Sequence, residues 1–242
     1  MHSIDKQAFL AMGCYNEDRF EADCKTAFPD AIFHKRETDT EYFGWLDHRN
    51  GTASVWMAGT HGENLLKLII AWAGNLAASD NDDDGRHDGF QMLAEQIFRQ
   101  IGGYLLGYDT LYFFGHSRAC SVLAILAKII KDQDPDMKIS GRVFCPAVPG
   151  NAKFAKEFNS VIPDWIFYRM KGDLINTAKM RDAKSDFLDG VDAGIARDLP
   201  PAGVLQYVPG VRAIAHTSKR VVKSLEKMYQ DIDFNWVRRA VK

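Results

Sequence analysis

The group best placed for covalent chemistry in this chain is the serine of Gly115-His116-Ser117-Arg118-Ala119, which has a small residue two positions to either side. A hydroxyl is a weak nucleophile until a base takes its proton, so it serves only where it is exposed and aimed. A sharp turn from strand to helix does this, lifting the serine above the end of a sheet with a helix N-terminus behind it. In such a nucleophile elbow the residues two before and two after the serine nearly touch, which demands small side chains. Gly115 meets that demand, and Ala119 stands where the usual pattern has a second glycine. The flanks fit the turn: Leu111 to Phe114 read as a buried parallel strand, and Ala119 to Ile130 are helix-forming and apolar on nearly every side.

Such a serine needs a base, and on a turn of this kind an acid and then a histidine follow it in chain order. His216 is the only histidine after Ser117. Many aspartates follow it. Asp173 is preferred because it ends the apolar run Trp165 to Met170 through Lys171-Gly172, and open α/β sheets carry functional groups at the carboxyl ends of their strands. Asp182, Asp186, Asp189, Asp192 and Asp198 fall in a polar region read as solvated loop. An oxyanion hole completes the set. Its donors are the backbone N–H of Arg118, directly after the serine, and that of Thr60, where a strand ends in Ala58-Gly59.

Positioning these groups requires a sheet, and the pattern supplies one. A loosely helical stretch from Ile4 to about Phe28 precedes β-rich segments at 31–37, 41–47 and 52–58, the last two joined through Asn50-Gly51, a favoured hairpin pair. Residues 64–78 are amphipathic to apolar, and a long helix runs from about His87 to Leu105. After the elbow come a strand at 140–145, a helix at 151–161 and a strand at 165–170. Residues 174–203 read as irregular, 204–208 as a last strand and 218–232 as a closing helix. This alternation predicts a single α/β domain over 1–242, a three-layer sandwich with a mainly parallel central sheet.

Composition narrows the partners. A formal net charge of -2 with scattered basic residues gives no electrostatic case for nucleic acid. No basic region leads into an apolar run at the N-terminus and no segment is long and apolar enough to cross a bilayer, so a cytoplasmic protein is the expectation, with export by another route left open. The four cysteines, Cys14, Cys24, Cys120 and Cys145, lack metal-ligand spacing and read as reduced packing thiols. The acidic run with Asp80, Asp82 and Asp84 before Gly85 has the first half of a calcium loop, but Gln91 stands where the twelfth-position glutamate belongs. A solvated acidic loop is favoured over a calcium site, and the chemistry itself needs no cofactor.

Taken together, the motifs resemble the class 3 lipases, the fungal-lipase-like branch of the α/β hydrolases, over roughly residues 40 to 216. Ala58-Gly59-Thr60 is similar to that family's oxyanion turn, Trp72 to Leu76 to the segment after its lid, and His87-Asp88-Gly89-Phe90 to its His-x-Gly-Phe. Gly115 to Ala119 resembles Gly-His-Ser-Leu-Gly, residues 146–154 resemble Pro-Arg-Val-Gly-Asn-x-x-Phe with one insertion, and Arg169 to Asp173 resembles the strand that delivers the acid.

The resemblance implies hydrolysis of carboxylic esters, often of lipids, with Ser117, Asp173 and His216 as triad, a lid between Thr60 and Leu76, and transient contact with a membrane or micelle surface. The chain departs from the pattern at Ala58 for arginine, Ala119 for glycine and Arg118 for leucine. Arg118 puts a cation beside the serine, which would favour an anionic substrate or simply point to solvent. Two alternatives stay open at this stage: a catalytically inactive member kept as a binding or scaffolding module, and a thioesterase or amidase using the same triad.

Overall fold

A computed structural model of the chain describes residues 17–37, 42–59, 85–86, 88–147, 149–170 and 195–199. Its centre is a seven-stranded sheet whose spatial order follows the sequence: β1 (Ile32–Glu37), β2 (Tyr42–Asp47), β3 (Thr52–Met57), β4 (Thr110–His116), β5 (Lys138–Phe144), β6 (Asp164–Met170) and β7 (Ile195–Leu199). β1, β2 and β3 form an antiparallel meander, and every pairing from β3 to β7 is parallel. The sheet is therefore mainly parallel, as the alternation of elements predicts.

The parallel part advances one strand at a time in one direction. Right-handed crossovers then place the connecting helices on a single face. That face carries α2 (Asp88–Leu105), α3 (Arg118–Gln133) and α4 (Ala152–Val161). Their buried residues, Phe90, Ile97, Leu123, Ile130, Phe154 and Phe158 among them, share one core with the alternate residues Val55, Met57, Leu111, Phe113, Val143 and Phe167 of the strands. The opposite face holds α1 (Glu17–Ala27), whose Phe20 and Cys24 pack with Tyr42, Leu46 and Trp56. Phe20 meets Trp56 edge to face at 4.6 Å, and Phe33 stacks on the same indole at 5.4 Å. Helices on both faces make the three layers.

Local chemistry explains the boundaries. Asn151 caps α4, its side-chain oxygen accepting from the N–H groups of Lys153 and Phe154 at 2.9 and 3.2 Å. α3 is buried on nearly every side, with ten consecutive residues from Ala119 to Lys128 out of solvent, because it lies between the sheet and α2. Trp165 lies over its register partner Gly141, where an added Cβ would come within 2.2 Å of the indole ring. The hairpin predicted at Asn50-Gly51 is present, but its positive φ angles fall on Arg49 and Gly51 rather than on the Asn-Gly pair, giving a longer loop than a two-residue turn.

One expectation is corrected. Residues 195–199, read as part of an irregular stretch, form β7, and Asp198 lies in that strand in register with Arg169. The segment Ile-Ala-Arg-Asp-Leu has little strand signal of its own; pairing with β6 supplies the ladder that local pattern lacks. The strand expected at 204–208, the helix at 218–232, the apolar stretch at 64–78 and the part of the first helix before residue 17 lie outside the described residues. Among the described residues no helix is long and apolar enough to cross a membrane.

Candidate active site

Ser117 sits between β4, which ends at His116, and α3, which starts at Arg118. No loop separates the two elements. The serine therefore makes the whole reversal, and its backbone adopts φ 60° and ψ -132°. This conformation is close to one that only glycine occupies without cost, and a side chain there stores about 1–3 kcal/mol. The strand-to-helix elbow inferred from the sequence is thus present, with its strain on the serine itself.

Several bonds hold that strain in place. The Ser117 N–H donates to the Phe144 carbonyl at the end of β5 at 2.9 Å, and the Ser117 carbonyl accepts from the Cys120 N–H at 3.0 Å. The Cys120 thiol donates to the same Phe144 carbonyl at 3.2 Å. One turn on, the Ser121 hydroxyl donates to the Ala147 carbonyl. Cys145, which follows Phe144, has φ 50° and donates its N–H to Tyr168 of β6 at 2.7 Å. The ends of β4, β5 and β6 are thereby laced together under the serine. No sequence signal marks Phe144, because its contribution is a backbone carbonyl.

The substitution of Ala119 for glycine is accommodated. An added Cβ on Gly115 would lie 3.4 Å from the Ala119 Cβ, an ordinary contact, so the bare Gly115 leaves more room still. Ala119 is fully buried and the elbow keeps its geometry. Ser117 is also buried, at 3% exposure.

Arg118 is half-buried and opens α3, whose first turn holds no acidic residue. The positive end of the helix raises the potential beside Ser117. β3 lies next to β4 with Met57 opposite Gly115, so Ala58-Gly59 leaves the sheet at the same edge as the serine. β6 also ends at this carboxyl edge, one strand beyond β5. These are the strand ends that lead to Thr60 and to Asp173. Thr60, Asp173 and His216 themselves lie outside the described residues, as do Asp80, Asp82 and Asp84. Among the described residues no group of His, Cys, Asp or Glu could hold a metal ion. Cys24, Cys120 and Cys145 are buried, and Cys14 lies outside the described residues.

No protein-family model matches the sequence. A search of curated proteins likewise finds no relative. Solved structures do match. The chain is similar to M37 lipase with a TM-score of 0.67 and 11% identity, covering 97% of this chain and 96% of that one. A lipase from Rhizopus microsporus var. chinensis matches with a TM-score of 0.57 and 16% identity over 72% of this chain and 67% of its own. A triacylglycerol lipase from Penicillium expansum matches with a TM-score of 0.53 and 14% identity over 82% and 78%. At these identities the likeness is one of fold: the chain has the lipase-like α/β-hydrolase fold.

Proposed function

We propose that the protein hydrolyses carboxylic esters, with lipid esters as the substrate class, through an acyl-enzyme on Ser117. In this mechanism His216 takes the proton as Ser117 Oγ attacks the ester carbonyl, and Asp173 orients the imidazole and stabilises the imidazolium. The N–H groups of Thr60 and Arg118 hold the oxyanion, each donor being worth about 2.7–4 kcal/mol. His216 then returns the proton to the leaving alkoxide. A water molecule, deprotonated by the same histidine, attacks the acyl-enzyme and releases the carboxylic acid and Ser117.

The observation that carries this reading is the backbone of Ser117, held at φ 60° and ψ -132° between a strand and a helix N-terminus. Such strain serves to present a reactive group and has no evident use in a binding module. The fold likeness to lipases supports the ester class. The reaction as proposed requires no metal, and calcium at Asp80, Asp82 and Asp84 would brace a loop rather than take part in it. Because Ser117 is buried, contact with a membrane or micelle surface is proposed to open the way to it.

A fluorophosphonate probe tests the reading. With detergent micelles present, the expected result is a single adduct that maps to Ser117 and is lost in Ser117→Ala; folded protein that takes no label there under that condition refutes the enzymatic reading. Rates on ester, thioester and anilide substrates with one acyl group then separate a lipase from a thioesterase or amidase. A profile over acyl chain length, with and without calcium, defines the substrate.

A further inference from the structure

The Phe144 carbonyl is an acceptor shared by the nucleophile and its own helix: it takes the Ser117 N–H at 2.9 Å and the Cys120 thiol at 3.2 Å. Cys120 also returns to the serine directly, its N–H donating to the Ser117 carbonyl at 3.0 Å. The side chain is 1% exposed and borders a void of about 10 Å³ that Ser121, Pro146, Ala147 and Trp165 help to line. A void of that size is room for no more than a single water, so small changes of volume at Cys120 can be absorbed locally.

We propose that Cys120 is a positioning residue for the proposed ester hydrolysis: its thiol ties the first turn of α3 to the end of β5 at the same carbonyl that holds the Ser117 amide, and so keeps the serine at its reactive height. The physical need is specific. A strained backbone persists only where its surroundings over-determine it, and the thiol adds a tie from the helix side to those made by the Ser117 N–H and the Ser121 hydroxyl. A thiol is a weak donor, so its effect is modest, but it acts at the point where a small displacement of the nucleophile costs most.

The inference rests on the hydrolase reading, and its test separates the two. Cys120→Ser keeps a donor, Cys120→Ala removes it with the same loss of bulk, and Cys120→Val removes it while keeping bulk. The readouts are kcat and KM on a soluble short-chain ester, the rate of fluorophosphonate labelling at Ser117, and hydrogen exchange of the Ser117 amide. In Cys120→Ala and Cys120→Val, kcat and labelling are expected to fall about fivefold to tenfold with KM nearly unchanged, and the Ser117 amide to exchange several-fold faster. Cys120→Ser is expected to stay within about twofold of the parent on all three.

Equal behaviour of Ser and Ala variants, or a ranking in which Val matches the parent while Ser falls with Ala, overturns the proposal in favour of plain packing. Should Cys120→Val not fold, the contrast of Ser with Ala decides alone. If the parent protein takes no label, the hydrolase reading fails, while the amide exchange of the same variants still shows whether the thiol braces the elbow.

Discussion

Gly115 and Ala119 face each other across the base of the Ser117 turn, with the Ala119 methyl only 3.4 Å from where a Cβ on Gly115 would stand. Of the pair, the glycine is the one the turn needs. The same added Cβ would lie 2.8 Å from Leu123 Cδ1, so any side chain at 115 must displace that leucine in a fully packed core. Gly115→Val is expected to destabilise the fold by about 1–3 kcal/mol and to suppress labelling of Ser117, read by urea denaturation and probe kinetics. Ala119→Gly is expected to keep labelling within about twofold while costing about 1 kcal/mol of stability through its helix position.

The strain at Ser117 makes a separate prediction. Ser117→Ala and Ser117→Gly both remove the hydroxyl and abolish turnover, but only glycine relieves the backbone at φ 60°. Glycine also costs about 0.5–1 kcal/mol through its freer unfolded chain, leaving a net advantage of about 1 kcal/mol over alanine. Thermal and urea unfolding of the two variants measure it. A glycine variant less stable than the alanine one by about 0.5–1 kcal/mol would mean that the turn carries no strain.

The proposed triad is tested at the residues the strand ends lead to. Asp173→Asn is expected to lower kcat by about 10⁴, since the imidazole loses both its orienting partner and the correct tautomer. His216→Ala is expected to cost at least as much. Asp198→Asn serves as the comparison, because its backbone lies in β7 at the register position of Arg169, and kcat is expected to stay within about twofold. If loss of Asp198 matched loss of Asp173, the assignment of the acid would be wrong.

Acid stability should depend on His48. Its Nε2 lies 2.7 Å from Ser54 Oγ and its ring meets Phe28 edge to face at 5.5 Å. Burial lowers its pKa below the ordinary 6.5, outweighing Asp47, which pulls it up. The folded value lies below the unfolded one, so the stabilisation is present above about pH 6.5 and is lost as pH falls through the lowered folded value. His34 is shifted in the same direction, again first by burial. The melting temperature is expected to drop between about pH 7.5 and about pH 5, and His48→Gln to reduce that drop.

Much of the frame is legible in the residues because its determinants are local. Gly115 two before Ser117, the apolar run into it, the cap at Asn151 and the apolar length of α3 each depend on neighbours within a few positions. The strand ends that lead to Thr60 and to Asp173 are legible too, because alternating and continuous apolar runs mark strands well. β7 is not legible in this way: its short charged segment becomes a strand only by pairing with β6.

By itself, the sequence determined which serine could act, that a strand must precede it and a helix follow, and which histidine and aspartates stand in the permitted order. Only the tertiary structure decided that the serine carries the strain of the turn, that Ala119 fits, and that the Phe144 carbonyl receives both the Ser117 amide and the Cys120 thiol. The reason is distance along the chain. A backbone carbonyl has no signature in residue type, and Phe144 reaches Ser117 only because β5 pairs in parallel with β4 after a helix has carried the chain across the sheet.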